Sequence, residues 1–334
     1  MKAIVWTKYG SPDGLQLREV ATPTPKDNEV LIKIHAATAS QADTELRRLK
    51  LPLLFAIPIR LYLGLIRPTR ITILGTEFAG EIVSAGKEVT RYQPGDQVYG
   101  YTGLGMGTYA EYLCLSEKPS ALASVMAKKP ANLTYEEAAA VPFGGLEALH
   151  SLRGGNIQRG QKVLIVGAGG SIGTYSVQLA KHYGAEVTGV DKPGKLEMLR
   201  SIGADHVIDY TREDFTQNGQ TYDVILDTIG KSPFSGSLRS LNDNGTYLNA
   251  NPGFFGGVRA RWASKRSSKK VITWTAGYTT DNLLALKELI EAGTIKPVID
   301  RRYPLEETAE AHRYVDTGQK KGNVVLTLEH LHKT

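Results

Sequence analysis

Three glycines near the middle of the chain are spaced to hold a phosphate group. Gly167, Gly170 and Gly173 follow an apolar run, Val163 to Val166, and precede a helical pattern. A strand that leads directly into a helix aims the helix's first free N–H groups above the turn, where an anion is favoured. Glycine also lets the backbone turn tightly and approach a pyrophosphate closely. The residues therefore predict a dinucleotide-binding turn.

The spacing departs from the commonest glycine fingerprint, because Gly167, Gly169 and Gly173 read G-x-G-x-x-x-G. The surrounding order of elements strengthens the prediction. A second strand, Glu186 to Val190, ends at Asp191, where an acid can accept hydrogen bonds from an adenosine ribose. An ordinary strand–helix–strand crossover, with glycines that serve only packing, is the alternative.

The nature of the nucleotide depends on the tip of this second strand. A carboxylate at Asp191 would repel a 2′-phosphate and leaves good hydrogen bonds for a 2′-hydroxyl, which favours NADH. Lys192 and Lys195 could neutralise that carboxylate or reach a phosphate, so NADPH stays open. We therefore expect NAD(H) or NADP(H), with a preference for NAD(H).

Other contacts to the nucleotide are expected where parallel strands end, because ligands of open α/β sheets lie outside the carboxyl ends of the strands. Asp227, at one such end, fits a strand-end cap as well as a contact. The predicted cofactor-binding residues are Gly167, Gly169, Gly170, Ser171, Ile172, Gly173, Asp191, Lys195, Tyr210, Thr228, Ile229, Asn249 and Ala276.

The elements that must position these residues change in character along the chain. The first third contains short strand-like runs between Pro, Gly and Asn turns; they are Lys2–Trp6, Leu15–Val20, Glu29–Ala36 and Glu81–Ala85. Thr134 and Glu137 form a candidate capping box for a helix from about Glu136 to Leu152. Strands and helices alternate beyond it, which predicts a doubly wound parallel sheet.

Composition sets broad limits. The chain has 334 residues, 41% hydrophobic and 22% charged, which suits a globular protein with room for two domains. The single cysteine, Cys114, excludes an intrachain disulfide and a multi-cysteine zinc site and indicates a reducing compartment. The first residues lack the apolar core of a signal peptide. We expect a cytoplasmic protein without a membrane span.

Two segments allow more than one interpretation. Residues 51–68 are apolar but contain Pro52, Pro58 and Arg60, so they suit a lid over an apolar substrate or a buried packing segment better than a membrane helix. Residues 258–270 carry six positive charges and no acid, against a net charge of +6 for the whole chain. Nucleic-acid binding could use that cluster, but a solvated loop is the favoured interpretation.

The order of parts resembles the medium-chain dehydrogenase/reductase superfamily over nearly the whole chain. The marks that match are GTEFAGEIVSAGKEVTRYQPGDQVYG (75–100), GTYAEYLCL (107–115), AAAVPFGGLEALHSL (138–152), GAGGSIG (167–173), IGADHVIDY (202–210) and KKGNVVL (320–326). The resemblance implies an α/β protein with a GroES-like β-barrel domain (1–125), a Rossmann domain (126–293) and a C-terminal return (294–334). It also implies an active site between the two domains.

Many members of this superfamily are zinc alcohol dehydrogenases, so the resemblance requires a check of the residues that would bind catalytic zinc. Thr76 stands where those enzymes have a ligating histidine, and Ser40 stands where they have a ligand cysteine. Catalytic zinc usually takes Cys or His among three protein ligands. We therefore expect no metal, and the chain is most similar to the zinc-free quinone oxidoreductase branch.

That branch passes hydride from a reduced nicotinamide to a quinone or to the β-carbon of an enone. By their correspondence with residues of this branch, Ser40 and Asp43 are catalytic candidates and Asn323 is expected near the cofactor. Many relatives have Asn at the position of Ser40. Tyr62 could donate a proton, although an ordinary packed tyrosine is the plainer interpretation.

The predicted function is an NAD(P)H-dependent quinone or enone reductase acting on a small apolar substrate. The alternatives are a zinc-free NAD(P)-dependent alcohol dehydrogenase and a non-enzymatic protein that binds nucleotide or RNA. A homodimer is the expected oligomeric state.

Overall fold

The computed structural model describes residues 1–49, 53–118, 124–251, 268–273 and 277–329, with only the backbone of residues 53–56. Ala276 and residues 258–267 of the basic segment lie outside this range. The described strands are β1 (Lys2–Trp6), β2 (Leu15–Glu19), β3 (Glu29–Thr38), β4 (Glu77–Ala85), β5 (Gln97–Tyr101), β6 (Tyr112–Ser116), β7 (Val125–Lys128), β8 (Lys162–Val166), β9 (Glu186–Asp191), β10 (His206–Asp209), β11 (Tyr222–Asp227), β12 (Leu241–Asn249), β13 (Lys270–Thr273), β14 (Ile299–Pro304) and β15 (Asn323–Thr327).

The helices separate or follow these strands. They are α1 (Gln41–Arg48), α2 (Leu53–Leu63), α3 (Tyr135–Ala139), α4 (Pro142–Gly155), α5 (Ser171–His182), α6 (Leu196–Ser201), α7 (Phe234–Arg239), α8 (Thr280–Glu291) and α9 (Thr308–Asp316).

The chain forms two compact units. The first contains residues 1–142, 278–288 and 299–334, and the second contains 143–277 and 289–298. The division differs from the predicted boundary after residue 125. β7 pairs with β5, and α3 packs against β3 and β4, so residues 125–139 complete the first unit. Similarly, residues 294–298 belong to the second unit and not to the C-terminal return.

A seven-stranded sheet is the centre of the first unit. Six of its strands follow the order β14-β15-β3-β4-β5-β7, and β6 pairs with β3. Residues of β3 alternate between buried and partly exposed, which is the pattern of a strand with one face on a core. Trp6, Ile32, Phe78 and Leu326 are among the fully buried side chains of that core.

The second unit contains six parallel strands in the order β10-β9-β8-β11-β12-β13. Numbered in chain order within the unit, this is 3-2-1-4-5-6, the doubly wound order that binds dinucleotides. The direction of winding reverses between β8 and β11, so a crevice opens beyond their carboxyl ends at Val166 and Asp227. The predicted parallel α/β sheet is confirmed.

One predicted helix is divided. The capping box of Thr134 and Glu137 is confirmed, with both reciprocal hydrogen bonds present at the start of α3. The helix predicted through Leu152 nevertheless stops at Ala139, and α4 begins at Pro142. Proline lacks an N–H donor and restricts the residue before it, so it ends one helix and suits the first position of the next.

Candidate dinucleotide site and buried polar network

The glycine turn lies at the carboxyl end of β8, as the sequence predicts. Gly167 has a φ of +76°, and a Cβ there would lie 2.5 Å from Ile229 and 2.6 Å from Thr228. Thr228 donates its hydroxyl to the Val166 carbonyl oxygen at 2.9 Å. Two predicted contact residues from the end of β11 therefore pack directly on the turn.

The second strand of the unit fixes the same turn. The N–H groups of Gly167 and Ala168 both donate to the Val190 carbonyl oxygen, at 3.0 and 3.2 Å. The Gly169 N–H donates to Asp191 Oδ2 at 2.8 Å. Three successive turn amides are thus satisfied by the end of β9, which determines where the following helix starts.

The start of α5 is left available for an anion. Its N-cap residue is Gly170, which has no side chain to bond to the first amides, and the Thr174 N–H donates to the Gly170 carbonyl oxygen at 3.0 Å. The first N–H groups of a helix have no intrahelical acceptor. Those of Ile172 and Gly173 therefore keep their hydrogen-bonding capacity for a phosphate.

Asp191 is paired with Lys195, one of the two lysines that the sequence analysis names as able to neutralise it. Its side chain is buried, and besides the Gly169 amide it accepts the Lys192 N–H at 2.8 Å and lies 3.3 Å from Lys195 Nζ. Lys195 is buried as well. The predicted ribose-selecting position is therefore an ion pair that also holds the glycine turn.

The remaining predicted contact residues differ in their exposure and in their hydrogen bonds. Tyr210 is half exposed at the end of β10, and its N–H lies 3.4 Å from the Asp191 carbonyl oxygen. Asn249 ends β12 and accepts the Asn251 N–H. Asn323 is buried in the first unit, at the start of β15. Asp227, the ambiguous residue, is a strand-end cap that accepts the Ile229, Gly230 and Ser232 amides and the Tyr247 hydroxyl.

The first unit brings two of the three predicted catalytic residues together. Ser40 is the N-cap of α1, and its hydroxyl donates to Asp43 Oδ2 at 2.6 Å while accepting the Asp43 N–H at 3.1 Å. Tyr62 lies on α2, half exposed, with the Arg70 guanidinium 4.4 Å from its ring centre. Among the described residues, no hydrogen bond or ring contact joins Tyr62 to Ser40 or Asp43.

Asp43 belongs to a buried chain of hydrogen bonds that the sequence analysis missed. Arg47 Nε donates to His312 Nδ1 at 3.2 Å, and His312 Nε2 lies 3.0 Å from the Tyr109 hydroxyl. Because Nδ1 accepts, the proton of the neutral imidazole is on Nε2 and is donated to Tyr109. The Tyr109 hydroxyl then donates to Asp43, which also accepts from Ser40.

Electrostatics in this chain follow from its burial. Desolvation raises the pKa of the Asp43 carboxyl, and the hydrogen bonds from Ser40, Tyr109 and the Gly75 backbone oppose that shift. Desolvation also raises the pKa of Tyr109 well above its ordinary value, helped by Asp43. Burial, with the nearby Arg47 charge, lowers the pKa of His312 to about 3. His312 is therefore neutral at physiological pH.

Ser40 and Thr76, which stand where zinc alcohol dehydrogenases have metal ligands, lie in surroundings that do not resemble a zinc site. Ser40 is occupied by the capping box, Thr76 is almost fully buried, and the neighbouring Glu77 accepts a hydrogen bond from Thr38. Alcohol hydroxyls are poor substitutes for the thiolate and imidazole ligands that zinc takes. Within the described ranges, no cluster of three His, Cys, Asp or Glu residues could hold a metal ion.

Comparison with known proteins gives matches to two family models. Residues 26–125 match the alcohol dehydrogenase GroES-like domain, and residues 202–326 match a family model described as zinc-binding dehydrogenase. The chain is 32% identical to a 2-methylene-furan-3-one reductase of Solanum lycopersicum, over 98% of this chain and 79% of that protein. It belongs to the medium-chain dehydrogenase/reductase superfamily.

Other relatives place this superfamily member in the quinone oxidoreductase-like branch. An NADPH-dependent alkenal/one oxidoreductase of Arabidopsis thaliana is 30% identical, over 98% of this chain and 79% of that protein. The solved quinone oxidoreductase of Coxiella burnetii superposes with a TM-score of 0.86 at 28% identity, over 98% of this chain and 99% of that one. The predicted family, GroES-like and Rossmann fold class and oxidoreductase activity with a nicotinamide cofactor are confirmed.

The glycine turn supplies a test by matched substitutions. An alanine Cβ at Gly173 would lie 2.3 Å from the Gly167 carbonyl oxygen and 2.5 Å from Ala168 Cα, so the turn must move. At Gly170 the nearest atom is 3.4 Å away. We expect Gly173→Ala to cost about 1–3 kcal/mol and to weaken nucleotide binding, and Gly170→Ala to cost under about 1 kcal/mol. Thermal unfolding and NADH titration measure both; equal losses would contradict the packing argument.

The buried histidine gives a prediction on pH. The pKa of His312 is near its ordinary value of about 6.5 in the unfolded chain and about 3 in the folded one. The unfolded state therefore gains a proton first, and stability should fall as pH drops from about 6.5 toward 3, by about 1.4 kcal/mol per pH unit. His312→Gln can still accept from Arg47 and donate to Tyr109, and it should lose this part of the slope. Urea unfolding at several pH values measures the free energy of unfolding of both proteins. If it falls with pH equally in the unmodified protein and in His312→Gln, the prediction is wrong.

Proposed function

We propose that this chain transfers hydride from a reduced nicotinamide dinucleotide to a quinone or to the β-carbon of an α,β-unsaturated carbonyl compound, without a metal ion. The observation that carries the proposal is the glycine turn at the strand reversal, with uncapped α5 amides for a phosphate and the Asp191–Lys195 pair at the ribose position. The names of the relatives supply the acceptor class.

The metal-free part of the proposal rests on donor chemistry. Ser40 and Thr76 offer hydroxyl groups where a zinc site would need a thiolate and an imidazole. Ser40 is further engaged with Asp43 through both its side chain and its amide. Without a Lewis acid to lower the pKa of an alcohol, alcohol oxidation is poorly supported. Reduction of an activated alkene or a quinone demands less of the protein.

In this reaction the protein chiefly binds and orients the nucleotide and the substrate. The bound nicotinamide supplies the hydride. The turn from Gly167 to Gly173 holds the pyrophosphate, and Thr228 and Ile229 limit the space beside it. Ser40 and Asp43 fix the start of α1, since their mutual hydrogen bonds consume the groups that would otherwise act on a substrate. Tyr62 remains the candidate proton donor, because its hydroxyl belongs to a half-exposed side chain.

The proposed cofactor preference follows from the ion pair of Asp191 and Lys195. The Asp191 carboxylate favours a 2′-hydroxyl, but Lys195 compensates its charge at 3.3 Å and reduces the repulsion of a 2′-phosphate. We therefore propose use of both nucleotides, with NADH preferred to a small extent.

The decisive experiment combines binding and turnover. Purified protein is titrated with NADH and with NADPH by fluorescence, and a 1,4-quinone or a short-chain enone is then added to the complex that forms. Tight binding with rapid oxidation of the nicotinamide is expected. Faster turnover of simple alcohols with NAD⁺ would favour the alcohol dehydrogenase alternative, and failure to bind either nucleotide would refute the proposal.

Lys195 provides a sharper test of the nucleotide preference. Lys195→Met removes the charge that compensates Asp191, so NADPH affinity should fall roughly tenfold or more relative to NADH affinity. Lys192→Met is the matched control, because the described contact of Lys192 to Asp191 is made by its backbone N–H. An equal loss for both nucleotides in the Lys195 variant would make the pair purely structural.

A further inference from the structure

Exposed apolar side chains are concentrated in one short segment of the first unit. Eleven large hydrophobic residues are exposed in the described parts of the chain, and five of them lie between residues 57 and 66. We call these five the α2 patch: Ile57, Leu61, Tyr62, Leu65 and Ile66, with exposures of 51, 64, 53, 63 and 91%. Scattered exposed apolar residues are ordinary, whereas a contiguous group marks an interaction site.

The patch is held firmly from beneath. Leu63 is buried, and Ile59 packs against the core of the first unit. The Tyr9 hydroxyl donates to the Gly64 carbonyl oxygen at 2.7 Å, and the Thr69 N–H donates to the Leu63 carbonyl oxygen at 2.8 Å. The exposed residues are therefore the outer face of an anchored element.

Positive charge surrounds the patch without compensation. Arg60, Arg67 and Arg70 are exposed, and the sequence from residue 46 to residue 76 contains no acid. Arg60 lies over the Tyr9 ring at 5.2 Å and Arg70 over the Tyr62 ring at 4.4 Å. In the described ranges none of the three arginines forms an ion pair.

We propose that the α2 patch docks on the surface of an anionic lipid bilayer. Apolar residues next to arginines match the two layers of such a surface, because the former enter the boundary of the acyl chains and the latter meet lipid phosphates. A second copy of the chain fits poorly, since a twofold contact would bring the arginines of one copy against those of the other.

The proposed contact is peripheral. With 11 residues, α2 is about 16 Å long, roughly half of the hydrocarbon thickness of a bilayer. No helix in the described ranges is long and apolar enough to cross a membrane. The helix would therefore lie at the interface. This docking does not rest on the reaction proposed above, although the patch includes Tyr62, the candidate proton donor of that reaction, and quinones and enones with long chains collect in the same layer.

The test is flotation of the full chain with lipid vesicles. Vesicles of pure phosphatidylcholine are compared with vesicles of about three parts phosphatidylcholine to one part phosphatidylglycerol, at low and high salt. We expect binding to the anionic vesicles that weakens with salt. Arg67→Gln should weaken it about fivefold, and the double change Leu65→Ser with Ile66→Ser by about tenfold or more. Absence of binding by the unmodified protein would overturn the proposal.

Matched controls separate docking from other roles of the segment. Leu284→Ser and Arg302→Gln change an exposed leucine and an exposed arginine elsewhere in the first unit, and should leave vesicle binding unchanged. Melting temperature verifies that each variant folds, and turnover of a short, water-soluble enone without vesicles should be unaffected by the double change. Loss of that turnover with intact vesicle binding would assign the patch to the substrate. A smaller solution mass of the double variant with intact vesicle binding would assign it to a second copy.

Discussion

The Asp191 carboxylate is the contact on which the nucleotide site depends. It joins the end of β9 to the Gly169 amide and is itself compensated by Lys195, with all three groups shielded from solvent. A buried carboxylate without partners would be costly, so the pair and the amide bonds stabilise each other. The same carboxylate therefore holds the Gly169 amide and carries the charge that Lys195 compensates. On the nucleotide preference proposed above, a change at Asp191 would affect both the turn and the charge at the predicted ribose position.

This coupling also explains which part of the site could be inferred from the sequence. The turn, the following helix and the acid at the end of the second strand are local features, whose order along the chain determines their place in a parallel sheet. The partners of the Asp191 side chain, in contrast, depend on the folded structure. The spacing to Lys195 allowed neutralisation, but only the folded chain shows that the same oxygens hold the turn. The first unit extends beyond residue 125 because β7 pairs directly with β5, although β6, which pairs with β3, separates them in the sequence.

The buried network of the first unit, in contrast, could not be inferred from local sequence features. Tyr109, His312 and Arg47 are far apart in the sequence and meet only through packing of α1, α9 and the loop before β6. A partial signal existed: Thr308, Ala311, His312 and Val315 recur at helical spacing and are all buried, which points His312 inward. Helical periodicity identifies the face of a residue, but it does not identify the partner on another element.

The direction of the hydrogen bonds gives this network its physical sense. Arginine can only donate, so His312 accepts at Nδ1 and donates at Nε2, and the Tyr109 hydroxyl donates its hydrogen bond to Asp43. Every member is then satisfied, and Asp43 can remain buried beside Ser40 at the start of α1. A metal ion at Ser40 would have to compete with an acceptor that already binds the Ser40 hydroxyl and amide. The Ser40 hydroxyl therefore belongs to a hydrogen-bonded arrangement in which a buried carboxylate orders the start of α1.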